Sequence, residues 1–170
     1  KYDDPLILVT DYEIDSVDEI LPVLEVVARE NRPLVIVCEN VEGQALAALI
    51  MNALRGTMKV AAIKAPRYGE ERRNILKDLA VSVGSRFISR ESRVQLKQVR
   101  LADLGTAKTV DVVKNFTTII GGQGDHSQVE QRIENLKVEL EHTDAMYECE
   151  RIQERITRLA SGVAVVRVGG

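Results

Sequence analysis

The sequence has no tryptophan, and aromatic residues make up only 4% of it. So few rings exclude a row of stacking platforms for single-stranded nucleic acid. Positive charge is not in excess either. The formal net charge is −3, and no basic stripe supplies the footprint of a DNA- or RNA-binding face. No apolar run is long enough to cross a bilayer as a helix, so no membrane partner is expected. The opening KYDDPLILVTD lacks the layout of a secretory signal. Cysteine is limited to Cys38, in an apolar strand pattern, and Cys149, on a helical apolar stripe. Buried free thiols are expected rather than a disulfide, which suits a reducing compartment. The histidines, His126 and His142, lie in polar sequence without metal-ligand spacing, and no metal site is expected. No nucleophile elbow or Cys–His signature is present.

What remains is 170 residues, 45% hydrophobic, enough for one well-buried domain or a domain with an appendage. Both ends break off beside strand-like runs, so a piece of a longer chain is expected. Pro5–Thr10, Pro33–Glu39 and Met58–Ala65 are short apolar runs without alternation. Runs of this kind suit strands covered on both faces. Helical patterns alternate with them at Val17–Arg29, Gln44–Leu54 and Glu70–Val83, the last with Leu76, Leu79, Ala80 and Val83 on one face and Gly84 as its stop. This order predicts an α/β domain.

Arg86–Ser89 reads as a further strand, while Glu91–Leu104 mixes charges with a weak helical pattern. Thr109–Val113 and Phe116–Ile120, rich in β-branched residues, read as a hairpin turning at Lys114-Asn115. In the last third, Val129, Ile133, Leu136 and Leu140 form one narrow apolar seam. Ala145, Cys149, Ile152, Ile156 and Leu159 form another. An antiparallel helical hairpin follows, with Ser127 and Glu130 as a capping box for its first helix and Thr143-Asp144 capping its second. Gly121–Asp125, GGQGD, sits between a strand and a helix, where phosphate loops occur. It lacks the P-loop and dinucleotide spacings, so a plain turn is favoured. The charged run Gly69–Asn74 reads as the solvated start of a helix.

Two helices carry more apolar surface than one contact uses. In the first, Ser16 and Glu19 form a capping box. Val17, Ile20, Leu21, Leu24, Val27 and Ala28 share a side, which Val23 and Val26 widen past half the circumference. Pro22 removes a backbone hydrogen bond inside it. The second is apolar almost all round, and between Glu42 and Arg55 no residue is charged. Such a helix is either buried on every side or has one face on the sheet and another open for association. Small alanines between Leu46, Ile50 and Leu54, together with adaptable Met51, favour the open face.

The stretch VEGQALAALIMNALRG with MKVAAIKAPRYGEERR, then FTTIIGGQG and ERIQERITRLASGVAVVRVGG, resembles the group I chaperonins, the GroEL family, over essentially the whole chain. The resemblance implies most of an apical domain, residues 1–162, lacking its N-terminal segment, followed by the start of an intermediate domain, residues 163–170. It implies a layered β/β/α fold with flanking helices. Non-native polypeptides and the mobile loop of a co-chaperonin would bind a groove between two helices. Carried over by motif position, Leu21 and Leu24 on the first helix and Leu46, Ile50 and Met51 on the second would line it, with Glu25, Asn52 and Arg55 at the rim. Ser161 and Gly162 would form the hinge.

The resemblance further implies a homo-oligomeric, heptameric ring in the parent. The parent's ATP site, with its Mg and K ions, lies outside this chain, so the chain itself would bind clients without catalysis or cofactor. The compartment would be the cytoplasm, or alternatively the matrix of a mitochondrion or plastid. Three departures mark a divergent member. Arg67-Tyr68-Gly69 stands where the family has Gly-Phe-Gly, Ser161-Gly162 where it has two glycines, and Met51 where it has valine. One alternative is a structural or specialised assembly role without general client folding. Another is a small-molecule α/β enzyme resting on GGQGD.

Overall fold

The computed structural model describes residues 1–56, 59–65, 69–113 and 116–167. Met58, Arg67, Tyr68, Lys114, Asn115 and the last three residues, 168–170, lie outside the described residues. The fold is mixed α/β. In chain order come β1 (Tyr2–Asp3), β2 (Leu6–Thr10), β3 (Glu13–Ile14), α1 (Val17–Ala28), β4 (Leu34–Cys38) and β5 (Asn40–Val41). Next are α2 (Gly43–Leu54), β6 (Val60–Lys64), α3 (Gly69–Val83) and β7 (Phe87–Ile88). Then follow β8 (Gly105–Val112), β9 (Phe116–Gly122), α4 (His126–Glu141), α5 (Met146–Ser161) and β10 (Val163–Arg167).

The main sheet runs β10-β9-β8-β2-β4-β6, with β1 added to β8 and β7 added to β2. Strands β2, β4 and β6 are parallel, and β7 is parallel to β2. Strands β8, β9 and β10 are antiparallel. The sheet curls where these halves meet. β8 pairs only with Leu6 and Ile7 at the start of β2, and β7 pairs with Val9 and Thr10 at its end.

Every residue of β2 and β4 is buried, as their unbroken apolar runs predict. Alternate side chains therefore serve different cores. Leu6, Leu8, Leu34 and Ile36 face one core with α1 and α2. Ile7, Val9, Val35 and Val37 face another with α3 and the β8–β9 ribbon. That ribbon is the expected hairpin, with Val112 opposite Thr117. The segment from Glu91 to Leu104 is not a helix. It forms two 3-10 turns at Leu96–Gln98 and Leu101–Asp103, and its Leu96, Val99 and Leu104 plug the core beneath α1.

The helical hairpin packs as its seams predict. Leu136, Ile152, Ile156 and Leu159 are buried together, flanked by Val129, Ile133 and Leu140. Its caps differ from expectation. Asp125, not Ser127, caps α4 by accepting from the Ser127 amide; both residue types cap well, and the helix starts two residues earlier. Ala145 occupies the N-cap of α5 without a side-chain bond, so Asp144 does not cap it. The Thr143 hydroxyl instead donates back to the Glu139 carbonyl at 2.7 Å. Both cysteines are free, Cys38 buried and Cys149 half-buried.

The charged run at the start of α3 is not simply solvated. Arg72 reaches Glu39, Arg73 reaches Glu91, and Glu71 pairs with Arg151 of α5. Deeper in α3, the carboxylate of Asp78 is buried against Arg132 of α4 and Arg155 of α5. Ion pairs thus tie the helical hairpin to the sheet domain. Among the described residues, no helix is long and apolar enough to cross a membrane.

Candidate functional site

Helices α1 and α2 lie on the same face of the sheet and contact one another. Ser16 opens α1, its hydroxyl accepting from the Asp18 amide at 3.3 Å, and the helix runs through Pro22. Its buried face is Ile20, Val23, Leu24 and Val27. The expected pair of groove leucines is therefore divided. Leu21 is 44% exposed, whereas Leu24 is 5% exposed and belongs to the core. Leu24 sits three positions on, where the helix has turned inward, so it contributes to the floor and not to an open surface.

The reading in which α2 is buried on every side does not hold within this chain. Among its described side chains, Ala45 and Leu49 join the core. Leu46, Ile50, Met51 and Leu54 are 39%, 50%, 48% and 79% exposed. Leu46, Ile50 and Leu54 follow i, i+4, i+8 spacing, so they form one ridge, with Met51 beside it. Leu54 was not among the groove positions carried over from the resemblance. The same spacing that singles out Leu46 and Ile50 reaches it.

Of the expected rim residues, Glu25 and Arg55 are exposed and Asn52 is half-buried. The Asn52 side-chain amide donates to the Ala48 carbonyl at 2.9 Å, which anchors it to its own helix. At the base, the segments entering α1 and α2 are joined by β3 and β5, and the Glu42 amide donates to the Ile14 carbonyl at 2.9 Å. The Glu42 carboxyl is held above the ordinary glutamate range, first by its hydrogen bond with Glu13 and then by the charge of Glu13. Glu19 is raised as well, by burial and then by Asp15.

The remaining chemistry-bearing residues are placed elsewhere. Burial, and after it the charge of Glu39, pushes the Cys38 thiol up to about 12, so it stays protonated and a poor nucleophile. Among the described residues, no group of His, Cys, Asp and Glu is arranged to hold a metal ion. His126 is exposed and pairs with Glu130 at 2.9 Å, and His142 is exposed at the end of α4. In GGQGD, a Cβ on Gly124 would lie 2.1 Å from the Val81 carbonyl oxygen. Gly122 and Gly124 let the turn press against the end of α3, and Gly121 lies against Lys108 of β8, which accounts for them by packing.

Ser161 and Gly162 close α5. Gly162 adopts a left-handed conformation, φ +69, which glycine takes without strain. The Ser161 hydroxyl donates to the Arg158 carbonyl at 3.1 Å and accepts from the Val163 amide at 3.2 Å. Val163–Arg167, expected to begin a further domain, lies in β10 as an antiparallel neighbour of β9. No protein-family model matches the chain.

Proposed function

We propose that this chain is the polypeptide-binding apical domain of a divergent group I, GroEL-type chaperonin. It would capture non-native proteins on the α1–α2 surface. One observation carries the reading. Helix α2, without a charged residue of its own, turns Leu46, Ile50, Met51 and Leu54 to solvent, and Leu21 of the contacting helix α1 is exposed as well. Exposing such a ridge is unfavourable for an isolated domain, and it is explained by a surface whose partner is apolar. Apolar burial contributes about 25 cal/mol per Å² without directional demands, so one ridge can serve many sequences. An extended or helical segment could lie along it. Glu25 and Arg55 at the rim would add polar contacts to the chain that binds.

On this reading the mobile loop of a co-chaperonin competes for the same ridge. Release depends on motion driven by ATP, with Mg and K, in a part of the heptameric parent beyond this chain. The cytoplasm or an organelle matrix would house it.

The test is binding of a fluorescently labelled apolar hairpin peptide to the wild-type chain and to Ile50→Glu. Saturable binding that is lost in a variant with unchanged circular dichroism supports the reading. A well-folded wild-type chain that does not bind the peptide overturns it.

A further inference from the structure

Helix α3 packs on the opposite face of the sheet from α1 and α2. Between α3 and α5 lies a cleft of about 470 Å³, within the size range of ligand pockets. Its apolar lining comes from Ile75 and Ile152, and Tyr147 forms part of its wall. The guanidinium of Arg151 stacks on the Tyr147 ring, 4.2 Å from its centroid, which braces the ring at the mouth.

The charges around this cleft do not balance. Its arginines are already engaged: Arg151 with Glu71, Arg158 with Glu154, and Arg155 with Asp78, a carboxylate it shares with Arg132. Glu70, Glu139 and Glu148 also line it. Among the described residues none of these carboxylates has a cationic partner. They come from three different helices, α3, α4 and α5, so the excess negative charge surrounds a cavity instead of following one helix face. Tyr147 in the lining remains 62% exposed, and Met146, the residue before it in the chain, 78%.

We infer that the α3–α5 cleft docks a basic polypeptide segment. A lysine or arginine side chain would enter among Glu70, Glu139 and Glu148, and neighbouring apolar residues would cover Tyr147 and Met146. Charge complementarity identifies the cation. The exposed apolar pair beside it favours a polypeptide over a free amine, because only a chain carries both features together. The inference does not depend on the role of the α1–α2 surface, from which the sheet separates it.

The probe is a fluorescein-labelled peptide of alternating lysine and leucine, measured by anisotropy against the chain carrying Ile50→Glu, so that the α2 ridge cannot capture it. Glu139→Gln/Glu148→Gln is expected to weaken binding about tenfold, and rising salt to weaken it further. Tyr147→Ala should weaken it as well. Glu30→Gln/Asp111→Asn changes net charge equally at exposed positions outside the cleft, and should leave affinity within about twofold. Amide shifts on peptide binding should centre on 70–75 and 147–152.

Equal loss in both double variants would mean diffuse attraction to an acidic protein and would overturn the inference. So would absence of binding once Ile50→Glu is present. Free spermidine binding as tightly as the peptide would overturn it too, since the cation alone would then suffice.

Discussion

Arg155 grips Asp78 with both arms of its guanidinium, Nε donating to Oδ2 at 2.6 Å and Nη2 to Oδ1 at 3.0 Å. Arg132 of α4 donates to the same carboxylate. Asp78 lies on α3 and is buried, so one side chain joins three helices. Replacing it by alanine leaves two guanidiniums without their shared anion, a costly state in a shielded site. Asp78→Ala is expected to destabilise the fold by about 3 kcal/mol, read as a lower urea midpoint. Loss of the α4–α5 seam alone, with the sheet still protected from hydrogen exchange, would show that the clasp holds only the hairpin.

The two faces of α2 should respond in opposite ways to substitution. Leu49 is in the core, and Leu49→Ala is expected to cost about 2–5 kcal/mol. Ile50 is half exposed, and Ile50→Glu should shift stability by less than about 1 kcal/mol. Thermal melts of both variants provide the check. Equal large losses would mean that Ile50 is covered in solution.

At Gly124 the space for a side chain is already taken. A Cβ would meet the Val81 carbonyl oxygen at 2.1 Å and the Gly84 amide nitrogen at 2.9 Å. Gly124→Ala must push the β9–α4 turn away from α3 and strain the bond from its amide to the Ser82 carbonyl, now 3.0 Å. A loss of about 2 kcal/mol or more is expected, measured by chemical denaturation.

Asp125 gives the chain a defined acid response. Its Oδ1 accepts from the Ser127 hydroxyl at 2.8 Å and from the Ser127 amide at 3.0 Å. These bonds, the hydroxyl's first, hold its carboxyl below the ordinary aspartate range. The folded value therefore lies below the unfolded one. The cap's contribution is present above the unfolded value of about 3.9 and is lost as pH falls through the folded value. Ser127→Ala should move the Asp125 titration upward, as followed by carboxyl carbon shifts. An unmoved titration would mean that the hydroxyl does not set it.

How far these features could be read in advance depends on how local their cause is. The doubly buried strands β2 and β4 and the seams of α4 and α5 announce themselves through spacing, because burial repeats with the geometry of the element. The ridge on α2 was legible as an excess of apolar residues, though which of them face solvent was not. Leu24 shows the difference, since nothing in its neighbours separates it from Leu21. The Asp78 clasp was not legible at all. Its partners lie 54 and 77 residues away, and an aspartate in a helix looks like any solvated one. The choice of Asp125 over Ser127 as cap turned on two residues of helix start, which residue preferences do not resolve.

Leu8 and Val9 are neighbours in the chain, yet they point into separate cores. β2 is thus a partition shared by two chambers. Truncating Leu8 loosens the bed of α1 and α2, while truncating Val9 loosens that of α3. Selection can therefore retune one surface of the protein, one codon at a time, while the other side keeps its shape.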